Sequence, residues 1–269
     1  MVMSINTNSG AMAALQNLSK TSQSLETTQL RITTGLRVNG PKDDAATFAI
    51  AQNMRGDIAG MNAVKTALSM GEATVNVAIS AGQAVSDLLT EMKAKVVQAN
   101  QAGLDTDSKD ALQNEFTSLR NQLTTIVETA EFNGKNLITS SASALSVLST
   151  VEGSTISVAA QELNTSSIGV STSELSTGAS QALEDVDTAI VTVSNALASL
   201  GSSAKRVEIQ AEFTVQLVDI LKQGVGNLVD ADLAEESAAL QSLQIKPQLG
   251  VQALSIANAG PTSILALFR

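Results

Sequence analysis

Side chains able to do covalent or metal chemistry are scarce in this chain, and where they cluster they are carboxylates. Neither cysteine nor histidine occurs among its 269 residues. Thiolate and imidazole, the usual nucleophiles, metal ligands and proton carriers near neutral pH, are therefore missing. The adjacent carboxylates Asp43 and Asp44 have the form of an acid/base or metal pair, but so soon after Pro41 they read better as negative charge at a helix N-terminus. Asp230, Asp232, Glu235 and Glu236 lack the glycine and the spacing of a calcium loop and read as a solvated first turn. No catalytic, cofactor-binding or metal-binding residue is expected, and no cofactor. The chain does not read as an enzyme.

The remaining composition favours structure over chemistry. Hydrophobic residues make up 43% of the chain, yet aromatics only 2%, with five Phe and no Tyr or Trp. Aromatics are the largest contributors to deep globular cores; Ala, Val, Leu, Ile and Met suit thin seams between helices. A net charge of −10 repels phosphate backbones, so nucleic acid is not an expected partner. No stretch approaches the roughly 18 apolar residues of a membrane span. Gln16 and Asn17 interrupt any apolar run near the N-terminus, so no ordinary secretory signal is read there.

Apolar positions spaced by three and four mark helices that meet along seams. Leu15, Leu18, Ser22, Leu25, Gln29, Ile32 and Leu36 predict a first helix, ended by Gly35 and the turn Asn39-Gly40-Pro41. Asp43 or Asp44 then caps a long second helix, whose seam runs Thr47, Ile50, Met54, Asp57, Met61, Val64, Leu68 and onward to Ala99. Gly103 ends it, and Asp105 to Asp107 open a third helix along Leu112, Phe116, Leu119, Leu123, Ile126 and Ala130. The cleanest series runs from Leu183 to Leu228 through Val186, Ile190, Val193, Leu197, Leu200, Ala204 and Val207. Its 46 residues predict a rod of about 69 Å, and its seven-residue repeat predicts left-handed supercoiling.

Between the helical halves the texture changes. Residues 139–180 hold 19 Ser or Thr, three Glu and no basic residue. Asn133-Gly134 is a hairpin-turn signal, and the alternation around Ile156 and Val158 is that of a short strand. The expected fold is mainly α: an elongated antiparallel coiled-coil bundle with a small β-hairpin excursion and paired helical termini. Residues 132–180 are read as the Ser/Thr-rich exposed segment.

The two ends are unusual for soluble helices, which keep a charged face towards water. The first nineteen residues carry no charged side chain, and neither do residues 247–268. Ile5, Met12, Leu15, Leu18, Leu25, Ile32 and Leu36 at one end need covering, as do Val251, Leu254, Ile256, Ile264, Leu265, Leu267 and Phe268 at the other. Burying one such side chain contributes roughly 1.5–3 kcal/mol. Two helices alone bury one stripe each, so the opposite faces call for copies of the same chain. Arg31, Arg37 and Lys42 surround the first inter-helix turn. Beside Asp43 and Asp44, they are read as inter-subunit polar residues that fix register rather than affinity. Pro247 should kink the last helix or start it.

Several stretches resemble the flagellins. They are Ser4-Ile5-Asn6-Thr7-Asn8, Arg31-Ile32-Thr33-Thr34-Gly35-Leu36-Arg37-Val38-Asn39, Lys42-Asp43-Asp44-Ala45-Ala46, Gln98-Ala99-Asn100, Glu131-Phe132-Asn133-Gly134, and the ending Asn258, Pro261, Ile264 to Arg269. The resemblance covers about residues 1–138 and 181–269. It implies an inner-tube domain from 1–42 and 229–269, and a coiled-coil domain from 43–228. It also implies type III export, an extracellular filament of identical subunits, and cap, hook-associated and chaperone proteins as partners. Ser/Thr residues of the excursion would carry O-linked sugars. Glu91 and Lys95 depart from members read by an animal innate-immune receptor, which implies weak recognition. A hook–filament junction protein of the same superfamily, or a secreted coiled-coil adaptor, is the alternative.

Overall fold

A computed structural model describes residues 7–265, with side chains placed for all but 176–177 and 260–265. Five helices, α1 (Ser9–Thr34), α2 (Ala45–Ala99), α3 (Thr106–Thr129), α4 (Leu175–Val229) and α5 (Leu233–Leu265), make the fold mainly α. Two small hairpins lie between α3 and α4: β1 (Glu131–Phe132) with β2 (Lys135–Asn136), and β3 (Leu145–Leu148) with β4 (Thr155–Val158). The chain divides into two compact units, residues 57–219 and residues 1–56 with 220–269.

In the unit of residues 57–219, the seams follow the three-four spacing closely. Val64, Leu68, Val75, Ala78, Val85, Leu89, Met92 and Val96 of α2 are buried, as are Phe116, Leu123 and Val127 of α3. On α4, Val186, Val193, Leu200 and Val207 are buried, joined by Ala182, Ala189, Ala196 and Ser203. A second buried position per heptad widens the apolar stripe, which is what a helix facing more than one neighbour requires. Non-helical backbone at Gly178 interrupts the first turn of α4.

The turn between β1 and β2 puts Asn133 at φ 51 and Gly134 at φ 72, the paired left-handed residues of a tight hairpin. Beyond it, many hydroxyls of the Ser/Thr-rich stretch are exposed, while Leu137, Ile138, Val147, Val158, Leu163, Ile168 and Val170 are buried in the same core as the helices. Polar anchors hold the stretch down. Arg120 Nη1 donates to the Ser171 carbonyl at 2.8 Å, and Gln113 Oε1 accepts from the Leu175 amide at 2.6 Å. Glycines on α2 seat the second hairpin: a Cβ at Gly71 would stand 2.5 Å from Val147 Cγ2, and one at Gly60 would stand 2.9 Å from Val151 Cγ1.

Gly71→Ala should therefore lower stability despite alanine's better helix propensity, because overpacking costs roughly 1–3 kcal/mol and propensity returns less than about 1 kcal/mol. Thermal unfolding would show a lower Tm. Adding Val147→Ala should leave the double variant more stable than the two single losses predict; simple additivity would rule out the seat.

Candidate assembly surface

The unit formed by residues 1–56 and 220–269 is built on α1 and α5, which run antiparallel with Cα atoms within 8 Å along their contact. Besides Arg31, the half-buried and buried positions of α1 are Ala11, Ala14, Leu18, Thr21, Leu25, Thr28 and Ile32, stepping by three and four. Opposite them stand Ala239, Leu240, Leu243, Pro247, Gly250, Leu254 and Ala257. Small residues dominate, which lets the backbones approach. At Gly250 a Cβ would meet Leu18 Cδ1 at 3.2 Å, so the glycine makes room for that leucine. This seam differs from the expected one: Leu18, Leu25 and Ile32 belong to it, but Leu15, Ser22 and Gln29 face outward, exposed.

Polar groups close both ends of the pair. Asn8 uses both ends of its amide: Oδ1 caps α1 by accepting from the Ala11 amide at 3.1 Å, and Nδ2 donates to the Ala257 carbonyl at 2.8 Å. At the other end Arg31 Nη1 donates to Glu236 Oε1 at 2.8 Å, both side chains being largely covered. Gly35, at φ 71, ends α1 in a left-handed cap.

Past the cap, the two connectors zip together. The Arg37 and Val38 amides donate to the Val229 carbonyl at 2.7 and 3.2 Å, and the Ala231 amide donates to the Gly35 carbonyl at 2.9 Å. Arg37 Nη2 donates to the Leu228 carbonyl at 2.7 Å, satisfying the C-terminal end of α4. Asp43 Oδ2 accepts from the Asn39 and Gly40 amides, and Asp44 accepts from the Ala46 and Thr47 amides, capping α2. The Thr47 hydroxyl, 2.6 Å from Asp44 Oδ2, is the main reason the Asp44 carboxyl is held below the usual carboxylate range. Thus Arg31, Arg37, Asp43 and Asp44 all have partners inside the chain, while Lys42 lies exposed.

Of the apolar residues singled out in the sequence, Leu18, Leu25, Ile32 and Leu254 are partly covered by the α1–α5 seam, and Leu36 by the connectors, where it bridges to Asp230. Met12 (62%), Leu15 (57%), Val251 (56%) and Ile256 (73%) stay exposed. Ile5, Leu267 and Phe268 lie outside the described residues, as do the side chains of Ile264 and Leu265. Four exposed residues passed over in the sequence join the set: Leu30, Leu233, Ile245 and Leu249. The signal for Leu30, Ile245 and Leu249 was a second stripe. Met12, Leu15, Ser19, Ser22, Glu26, Leu30 and Thr33 step by three and four along α1, and Ile245, Leu249, Gln252 and Ile256 do so along α5.

Pro247 does not start a helix, since α5 runs from Leu233 to Leu265 through it. Proline costs about 3 kcal/mol inside a helix, and packing along a 33-residue helix offsets that. The ring lies on the seam, half-buried.

A mainly helical chain whose paired ends keep uncovered apolar stripes falls among the self-assembling coiled-coil proteins. Comparison with known proteins narrows the class. Residues 5–143 match the model of the bacterial flagellin N-terminal helical region, and residues 183–268 that of the C-terminal helical region. Flagellin FljK of Caulobacter vibrioides is 47% identical over 269 residues, spanning 99% of this chain and 98% of that protein. A flagellin of Brucella melitensis is 35% identical over 281 residues, spanning 99% of each. A solved structure described as a flagellar hook-associated protein from Vibrio parahaemolyticus shares the fold at 14% identity and a TM-score of 0.58, covering 70% of this chain and 100% of that one. The chain belongs to the bacterial flagellin family.

Arg37→Ala should loosen the connector zip. Losing a charge-assisted hydrogen bond of about 1 kcal/mol should speed hydrogen exchange at the Val38 and Ala231 amides roughly five-fold, with core amides of α3 unchanged. Equal exchange in the two proteins would refute the role given to Arg37.

Proposed function

We infer that this chain is a structural subunit of the bacterial flagellar filament, an extracellular polymer of identical copies. The observation that carries the reading is the second set of exposed apolar residues on each terminal helix, Met12, Leu15 and Leu30 on α1 and Ile245, Leu249 and Ile256 on α5. A helix that is apolar on two sides is stable when both sides are covered, and the α1–α5 pair covers only one. Copies of the same chain are the partners that the family implies.

Residues 1–42 with 229–269 would form the inner tube, with the coiled coil of 43–228 around it. Cap and hook-associated proteins at the filament ends, and a chaperone for the C-terminal segment before export, are the further partners this role needs. The full-length match to flagellins of the same size favours a filament subunit over a hook–filament junction protein.

Truncating residues 1–33 or 234–269 should abolish seeded filament growth seen by negative-stain microscopy, while the remaining coiled coil keeps a helical circular-dichroism spectrum. Growth of either truncated chain would sink the reading, as would failure of the full chain to polymerise. Of the two departures from the receptor-read members, Glu91 is exposed and Lys95 is half-buried and paired with Glu115 at 2.5 Å. Purified monomer should therefore activate receptor-bearing reporter cells weakly; strong activation would reject that expectation.

A further inference from the structure

The assembly reading leaves open what sets the register between neighbouring copies, and the charges of α1 bear on it. That helix carries three charged side chains, Lys20, Glu26 and Arg31. They lie in two separate grooves. One is polar and cationic, lined by Lys20, Gln23, Ser24, Thr27, Thr28 and Arg31. The other is lined by Leu30, Ile32, Leu240 and polar side chains, and its only charge is Glu26. Across the helix, the two grooves are complementary in charge.

Neither groove is satisfied within the chain. Lys20 and Glu26 make no ion pair among the described residues. Arg31 spends one N–H on Glu236, and its Nε is buried with no acceptor. A guanidinium presents five donors in a planar fork and readily takes a second carboxylate.

Resting on the assembly reading, we propose that Glu26 of one copy docks into the Lys20–Arg31 groove of the next. The spacing suits this. Lys20 and Arg31 are eleven residues apart, about 16 Å along the axis at 1.5 Å per residue. Glu26 sits between them, about 9 Å from one and 7.5 Å from the other. A parallel neighbour displaced along the axis by about 7.5 to 9 Å brings its Glu26 level with one of the two cations. Leu30, beside Glu26, is carried to the same contact and supplies apolar cover. Because the donor and acceptor grooves are different surfaces of one helix, the contact is head-to-tail. It leaves a free groove at each end of any row, and with that axial displacement it propagates as a helix instead of closing into a ring.

The test is seeded polymerisation of the full chain, reading the critical monomer concentration. Glu26→Lys should raise it at least about five-fold at low salt, the scale of an exposed ion pair turned repulsive, and the defect should shrink at high salt. Lys20→Glu should behave alike, and the Lys20→Glu/Glu26→Lys double variant should return to within about two-fold of the parent. Monomer circular dichroism and thermal unfolding confirm that each variant folds. Unchanged growth of either single variant, or no rescue by the double, overturns this contact while parent filaments leave the assembly reading intact. Failure of the parent chain itself to polymerise overturns both.

Discussion

The terminal unit rests on one constraint: two helices whose end segments, residues 9–19 and 247–265, carry no charge must be shielded from water on more sides than they can shield each other. In the pair, small residues fill the shared seam, so α1 and α5 approach closely and Gly250 admits Leu18. That close approach uses up one stripe and leaves Met12, Leu15 and Leu30 on one helix and Ile245, Leu249 and Ile256 on the other facing outward. The few polar devices present, Asn8 at one end and Arg31 with Glu236 at the other, position the pair rather than dissolve it.

The unit of residues 57–219 is built on the opposite principle. Its seams are closed by its own helices, with large aliphatics and Phe116 buried and ion pairs such as Lys93–Asp187, at 2.6 Å, on the surface. Even the Ser/Thr-rich stretch is folded in, its apolar residues buried and its second hairpin seated on two glycines of α2. A self-sufficient unit and an incomplete one thus share a single chain. Their difference lies in where charge was withheld.

That difference also decides what was legible in the sequence. On α4 one apolar series dominates: Val186, Val193, Leu200 and Val207 are buried as its frame requires, while Ile190, Leu197 and Ala204 are half-buried and Ala189, Ala196 and Ser203 take the second buried position. On α2 the frame holds from Met61 onward, but near the start of the helix Ala51 is buried and Ile50 exposed, because size and burial part company where the partner is close. On α1 two stripes compete. The larger residue Leu15 draws attention to the outward one, whereas the seam is made by Ala11, Ala14, Thr21 and Thr28 between three larger aliphatics. The Asn133-Gly134 turn and the Gly35 cap were readable because only such residues tolerate those backbone angles. At Pro247 the local penalty is visible in sequence, and the packing that carries the helix through it is not. Arg31, Arg37, Asp43 and Asp44 showed their chemistry but not their address, since their partners stand in segments distant in sequence or in the turn itself.

The Asn8–Ala257 clasp joins positions 249 residues apart. Closing so long a loop carries an entropic toll that local pairing does not, and contacts of high sequence separation form late. Neighbouring helices and tight hairpins can settle first, whereas α1 must find a partner that stands 249 residues further along the chain. The subunit thereby keeps its own calendar: the surfaces most prone to stick to another copy come into being last, when little of the chain remains loose to be caught in the wrong partner.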